Sequence, residues 1–221
     1  MELTLEDLVG MIDHTQLRAQ ATEEDIGRLA DEAKRYHFRS VCVNPFWVST
    51  ASELVRGSDV GVVSVVGFPL GQSRTECKVE EGRMAVEDGA TELDMVMNIG
   101  ALKSQRFSYV ENDIRDMTRL GVPVKVIIES CYLFPEEKIM ACELAMRAGA
   151  QFIKTSTGFG AYGATRDDVM VIRHVVGDRM KIKAAGGISN WQKAKDMIDA
   201  GVDRIGASKS VEIVDGFKAS Q

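Results

Sequence analysis

Gly149-Ala-Gln-Phe-Ile-Lys-Thr-Ser-Thr-Gly-Phe159 is the stretch from which the fold reads outward. Gly149 has the character of a helix stop and Ala150 of a tight connection, and Phe152 and Ile153 open a short buried strand. Lys154 stands at the carboxyl end of that strand, ahead of the small or hydroxylated residues Thr155, Ser156, Thr157 and Gly158. An unpaired buried ammonium is costly, so this lysine needs a partner, a route to water or a function. Taken alone, a structural ion pair or a side chain that snorkels to the surface explains it as well as catalysis does.

The pattern around it recurs. Gly89-Ala-Thr-Glu-Leu leads to Asp94, Gly149-Ala-Gln-Phe-Ile to Lys154, and Gly201-Val-Asp-Arg-Ile to Gly206. Each time a helical stretch ends in glycine, a strand follows, and the fifth residue after the glycine is unusual for a buried strand. Further apolar runs are Val41–Val43, Val62–Val66, Val124–Ile128 and Met180–Ala185, with Ile12 as a short first strand. Between them Ile139, Cys142 and Met146, and again Trp191, Ala194 and Ile198, recur at helical spacing. About eight strand–helix units of roughly 25 residues result, and regular alternation of buried strands and helices means a parallel sheet. Eight such units without a Gly-x-Gly-x-x-Gly fingerprint predict an α/β fold, a single (β/α)₈ TIM barrel over residues 1–221; an open doubly wound sheet is the alternative.

Composition narrows the partners. A net charge of −6 with no basic run argues against nucleic acid. Four scattered cysteines without a Cys-x-x-Cys pair read as reduced thiols. The acidic start Met-Glu-Leu-Thr-Leu-Glu-Asp lacks the apolar core of a signal peptide, and Val60–Leu70 is too short and too interrupted to span a bilayer. The expectation is a soluble cytoplasmic protein.

In a barrel the interior is filled in layers supplied by alternate strands. Asp94, Lys154 and Gly206 fall on strands 4, 6 and 8 at equal register, at the carboxyl-terminal rim, with Lys125 and Lys183 on the odd strands a layer away. Strands about 4.8 Å apart let a lysine arm cross, so Asp94, Lys154 and Lys183 are expected to converge. Glu92 and Arg204 are expected to turn inward one layer below, in a charged network. A lysine attacks a carbonyl only when unprotonated, and desolvation and a neighbouring cation favour that state. Lys183 is a candidate neighbour for Lys154, and Asp94 would hold Lys183 protonated and move protons. The glycine-rich Lys183-Ala-Ala-Gly186-Gly187 and Gly206-Ala207-Ser208 follow strands 7 and 8, where barrels commonly hold a phosphate. An imine-forming lysine beside a phosphate cradle suggests a Schiff-base aldolase acting on a phosphorylated sugar.

These segments, with Ile12-Asp-His-Thr15, Val41-Cys-Val-Asn-Pro45, Val66-Gly-Phe-Pro-Leu-Gly71, Glu92-Leu-Asp-Met-Val96, Asn98-Ile-Gly100 and Lys125-Val-Ile-Ile-Glu129, resemble the deoxyribose-phosphate aldolase family nearly end to end. The resemblance implies a class I lyase that reversibly splits 2-deoxy-D-ribose 5-phosphate into D-glyceraldehyde 3-phosphate and acetaldehyde, in deoxyribose phosphate catabolism, without metal or other cofactor. It implies that Lys154 forms the Schiff base, that Asp94 and Lys183 transfer protons, and that Gly186, Gly187, Gly206 and Ser208 bind phosphate. It also implies that Asp13, Thr15 and Cys42 line the same mouth, that Thr157 lies beside the imine, and that the chain forms a homodimer or homotetramer.

The sequence departs from the family at Lys209, which stands in place of an uncharged residue and either adds charge to the phosphate site or turns outward. Ser130 and Ala185 replace frequent threonine and serine, and the sequence ends at Gln221 without the tail tyrosine of some relatives. His14, His37 and His174 show no metal-ligand spacing; His14 is expected to hydrogen-bond in the first turn after strand 1, the others to lie at the surface. Lys125 reads equally as an ion-pair partner, and Cys42 as a small core residue. Thr22-Glu-Glu-Asp25 and Glu80-Glu81 read as solvated helix faces, the first also as a cap. The competing functions are another phosphate-binding barrel, an isomerase or synthase, in which the lysines only bind anions, and a catalytically silent barrel.

Overall fold

The apolar runs form strands and close on one another in the computed structural model, which describes residues 3–221. The strands are β1 (Ile12–Gln16), β2 (Ser40–Val43), β3 (Gly61–Val66), β4 (Glu92–Val96), β5 (Val124–Ile127), β6 (Phe152–Lys154), β7 (Lys181–Ala185) and β8 (Arg204–Ala207). Each pairs in parallel with its neighbours in sequence, and β8 returns to β1, giving a closed eight-stranded (β/α)₈ barrel. A short helix α1 (Leu5–Gly10), which periodicity did not reveal, precedes β1 and is fixed by a reciprocal cap between Thr4 and Asp7.

The outer ring is built from α2 (Glu23–Tyr36), α3 (Val48–Val55), α4 (Thr75–Glu87), α5 (Ile99–Lys103) with α6 (Phe107–Thr118), α7 (Pro135–Arg147), α8 (Arg166–Val176), α9 (Trp191–Asp199) and α10 (Ser210–Ala219). Thr22 caps α2 through Asp25 in the same reciprocal way, which accounts for the acidic run there. The second acidic run is not merely solvated. Glu80 pairs with Arg83 on the surface, whereas Glu81 accepts the backbone N–H of Gly67 at 2.6 Å and ties α4 to the loop after β3.

The three repeated glycines end their helices alike. Gly89, Gly149 and Gly201 have φ of +108°, +85° and +96°, a region that only glycine occupies without cost. Past each, the next residue donates back across the last turn: Ala90 to Ala85, Ala150 to Ala145 and Val202 to Met197. One helix stop, used three times, thus sets the register in which Asp94, Lys154 and Gly206 enter the barrel.

Outward-facing strand residues such as Val41, Leu93, Val126, Ile153, Ile182 and Ile205 pack with the helices into the main apolar core. The interior is divided. Cys42, Val63 and Val65 on β2 and β3 form a small apolar cluster with Leu17. The rest of the barrel interior carries Asp13, Glu92, Asp94, Lys125, Lys154, Lys183 and Arg204, all buried. No helix among the described residues is long and apolar enough to cross a membrane.

Candidate active site

Strand register brings the charged side chains together. Asp94 lies opposite Lys125, Lys154 opposite Lys183, and Lys183 opposite Arg204. Asp94 is the hub: its Oδ1 accepts from Lys125 Nζ at 2.9 Å, and its Oδ2 accepts from Lys154 at 2.8 Å and Lys183 at 2.7 Å. Burial would raise the Asp94 carboxyl, but the three lysines outweigh it and hold the group far below the usual carboxylate range. Lys183 is held by a second carboxylate, Asp13 Oδ2, at 2.5 Å. Burial opposes the Lys183 charge; Asp13 and Asp94 prevail and keep it protonated well above the ordinary lysine range.

Of the three lysines held on Asp94 only Lys154 reaches a pocket. It forms part of the wall of a cavity of about 370 Å³ at the carboxyl-terminal mouth, together with Thr15, Thr157, Gly186, Gly187, Gly206 and Ser208. Thus six of the seven positions expected to bind substrate or phosphate do line one pocket. Asp13 does not. It is fully buried, opposite Gly206 and Ser40 in the sheet, and bonded to Ser40 Oγ and Arg204 Nη1, both at 2.6 Å. The strand alternation that turns Thr15 toward the mouth leaves Asp13 one layer down. Cys42 is likewise enclosed: its Sγ sits 4.0 Å from Asp94 Oδ2, and burial raises its thiol above the ordinary range.

Several side chains have roles that the sequence left open or misplaced. Lys125 forms ion pairs with Glu92 and Asp94. Glu92 and Arg204 turn inward as expected, 3.3 Å apart. His14 sits on β1 rather than in the following turn; it points to the helices, with Nδ1 2.9 Å from Ser210 Oγ and Nε2 2.7 Å from Glu32. Lys209 stands on the rim of the pocket with its ammonium 2.7 Å from Glu212 Oε1, so its charge is shared with that carboxylate. Ser130 donates to Asp168 at 3.0 Å and does not line the pocket.

Glu129 was missed as a site residue. Its backbone has φ +42°, its side chain is buried, and its carboxylate accepts both the N–H and the hydroxyl of Thr157. Thr157 Oγ1 also accepts the Phe159 N–H at 3.0 Å. The loop after Lys154 is therefore fixed from the neighbouring β5 loop. The only signal in the sequence was an acid at the end of an apolar run; the unusual backbone, of the kind functional loops adopt, shows only in the structure.

The glycines at the mouth are required by space at Gly206 and Gly186 and by backbone conformation at Gly186 and Gly187. A Cβ on Gly206 would lie 2.9 Å from Lys183 Cε, so glycine is what lets the Lys183 arm pass over β8 toward Asp13 on β1. Gly186 and Gly187 have φ of +87° and +76°, and a Cβ on Gly186 would meet Gly163 Cα at 2.9 Å. Both glycines line the pocket beside Ser208 and Lys209, just ahead of α10, a setting suited to an anion.

Among the described residues no group of three or more histidine, cysteine or acidic side chains is arranged to hold a metal ion. The chemistry on offer is an amine at the floor of a small pocket, a carboxylate touching that amine, a fixed cation behind the carboxylate, and a glycine-lined lip for an anion.

The model of the DeoC/LacD family aldolase matches residues 8–216. A deoxyribose-phosphate aldolase from Aciduliprofundum boonei is 57% identical over 213 residues, covering 95% of this chain and 96% of its own. One from Thermococcus gammatolerans is 54% identical over 221 residues, covering 97% and 98%. Among solved structures, the tetrameric deoxyribose phosphate aldolase from Aeropyrum pernix superposes with a TM-score of 0.91 at 34% identity, covering 99% of this chain and 94% of that one.

Proposed function

Because the chain belongs to the DeoC/LacD aldolase family, we propose that its carboxyl-terminal pocket carries the reaction for which its relatives are named, with Lys154 as the nucleophile. The reaction is reversible aldol cleavage of 2-deoxy-D-ribose 5-phosphate to D-glyceraldehyde 3-phosphate and acetaldehyde. The observation that carries the assignment of Lys154 is its position: of the three lysines held on Asp94, it alone borders the pocket.

The neutral Lys154 amine adds to the C1 aldehyde of the open-chain sugar, and loss of water gives a protonated imine. Removal of the C3 hydroxyl proton breaks the C2–C3 bond, and the electron pair passes to the imine nitrogen to give an enamine while glyceraldehyde 3-phosphate departs. Protonation of the enamine at C2 and hydrolysis release acetaldehyde and the free amine. Asp94 and Lys183 carry the protons. Asp94 Oδ2 already touches the Lys154 nitrogen, and Lys183, bonded to the same oxygen and protonated at rest, is placed to lend a proton and take it back. Glycines 186, 187 and 206 and Ser208 would hold the phosphate, with Thr15 near the sugar and Thr157 shaping the wall.

Self-association into a dimer or tetramer is part of the same reading, supported by the tetrameric Aeropyrum relative; sedimentation velocity tests it. For the activity, acetaldehyde release from deoxyribose 5-phosphate is expected from the unaltered protein, with or without a chelator, and is expected to vanish in Lys154→Leu. Cleavage that survives that substitution would refute the assignment.

A further inference from the structure

Six buried ionic side chains form a closed ring inside the barrel. Asp94 Oδ1 meets Lys125 Nζ at 2.9 Å, and Lys125 pairs with Glu92. Glu92 lies 3.3 Å from Arg204, whose Nη1 is 2.6 Å from Asp13 Oδ1. Asp13 Oδ2 lies 2.5 Å from Lys183, which returns to Asp94 Oδ2 at 2.7 Å. Three carboxylates alternate with three cations, so the fully ionised ring is neutral. Lys154 hangs from it by a single contact, to Asp94 Oδ2. A protonated Lys154 is then the one cation without a carboxylate of its own, in a place where excess charge is expensive.

We propose that Glu92 and Arg204, on the side of the ring away from the pocket, are positioning residues that keep the ring neutral and so make Lys154 the amine that gives up its proton. This rests on the reading of Lys154 as the imine-forming residue. It goes beyond that reading by assigning the state of the nucleophile to the charge count of the whole ring rather than to Lys183 alone.

Neither residue can act by touching substrate. Glu92 and Arg204 border a separate cavity of about 1240 Å³ at the amino-terminal mouth of the barrel, where β6 and β7 begin, and neither lines the pocket that contains Lys154. Phe152 lies against Arg204 and Lys125: its ring centre is 5.4 Å from the Arg204 guanidinium and 5.6 Å from Lys125 Nζ. The charged and titratable groups that face Lys154 come from several elements. They are Asp94 on β4, Lys183 on β7, Cys42 on β2 beside Asp94, and Arg18 and Lys209 at the pocket rim; Glu129 after β5 is turned to Thr157. Substituting Glu92 or Arg204 alters none of these directly, so any effect on Lys154 must pass through the ring.

The two ends of the pair predict opposite signs. Arg204→Met leaves the ring one charge negative, which favours protonated Lys154; Glu92→Gln leaves it one charge positive, which favours the neutral amine. Unit charges about 10 Å apart at an effective dielectric constant of about 20 shift a titration by about one pH unit.

The test measures, against pH, the initial rate at which acetaldehyde and cyanoborohydride alkylate Lys154, read by peptide mass mapping. The half-maximum is expected about one pH unit higher in Arg204→Met and about one lower in Glu92→Gln, with the double variant back near the unaltered protein. Arg204→Lys, which keeps the cation, is expected to match the unaltered protein. Shifts of the same sign, or no shift, in variants that still alkylate Lys154 would overturn the proposal. If Arg204→Met does not fold, the near-isosteric Glu92→Gln carries the test alone, and an unmoved profile there overturns it. Absence of alkylation at Lys154 in the unaltered protein would instead overturn the imine reading, and this proposal with it.

Discussion

The amines of Lys154 and Lys183 meet on one oxygen: Asp94 Oδ2 lies 2.8 Å from the first and 2.7 Å from the second. Two full charges so close repel, and the carboxylates decide which lysine keeps its proton. Lys183 has Asp13 as well as Asp94 and is fully buried; Lys154 has Asp94 alone and borders the pocket. The fixed cation at rest is therefore Lys183, and in the proposed reading Lys154 is the nucleophile.

Lys183→Met removes that cation and strips a partner from two buried carboxylates. Turnover of deoxyribose 5-phosphate is expected to fall by about 10²–10⁴-fold, the usual range for a lost acid–base group. Stability is expected to fall by about 3–5 kcal/mol, as when one partner of a buried pair is deleted. Acetaldehyde release and urea melts measure the two losses separately; a variant with unaltered turnover would remove Lys183 from the chemistry.

Acid should open the barrel from the inside. Asp13 and Asp94 are both held below their unfolded values: burial raises each, and the lysines, with Arg204 for Asp13, outweigh it. Their contribution is fully present above about pH 4, near the unfolded carboxylate value, and is lost as pH falls toward their depressed native values. Lys183, held above its unfolded value, has the opposite sign; its contribution is present below about pH 10 and is lost as pH rises through its elevated native value. Asp13→Asn is expected to lower stability at neutral pH and to flatten the acid limb. Urea midpoints followed from pH 2 to 7, a range set around the reference carboxylate values of about 4, check both.

Gly206→Ala tests whether the glycine of β8 is there for Lys183. The added Cβ would sit 2.9 Å from Lys183 Cε and 3.2 Å from the Ala185 Cβ, so the end of the lysine arm must shift against its two carboxylates. A tenfold to hundredfold loss in kcat is expected, in keeping with the sensitivity of positioned catalytic groups to displacements of about 1 Å. Circular dichroism should show the barrel retained. Unchanged kcat would mean that Lys183 has room to spare.

The lip of the pocket can be separated from the floor. Gly186→Ala forces a side chain into φ +87° against the Gly163 backbone. It is expected to raise KM for deoxyribose 5-phosphate by about tenfold or more, a weakening of roughly 1.4 kcal/mol, while leaving kcat/KM for unphosphorylated deoxyribose within a few-fold. Equal losses on both substrates would place the phosphate elsewhere.

Much of this was legible because one local device repeats. A helix stop at Gly89, Gly149 and Gly201 fixes where each strand begins, and side-chain alternation then decides that Asp94, Lys154 and Gly206 face inward. Inward-facing charge on neighbouring strands of a barrel has few places to go, so the meeting of Asp94, Lys154 and Lys183, and the inward turn of Glu92 and Arg204, followed from spacing. Where the sequence reading failed, the deciding contact comes from an element distant in the chain. Asp13 was placed at the mouth with Thr15, although only Arg204 and Ser40 reveal its deeper layer. Thr157 is fixed by Glu129, and His14 by Glu32 and Ser210. Nothing in the sequence singles out Lys78, which is fully buried, 2.7 Å from Asp113 on α6 and 3.0 Å from the Val96 carbonyl that ends β4.

The most direct measurement is reductive trapping at neutral pH, in which acetaldehyde and borohydride are added and the modified lysine is identified by peptide mass. An ethyl group on Lys154, formed fastest there and formed also when deoxyribose 5-phosphate is supplied in place of acetaldehyde, is the result predicted. Rapid modification of Lys125, Lys183 or Lys209 instead, or none at Lys154, would contradict the account.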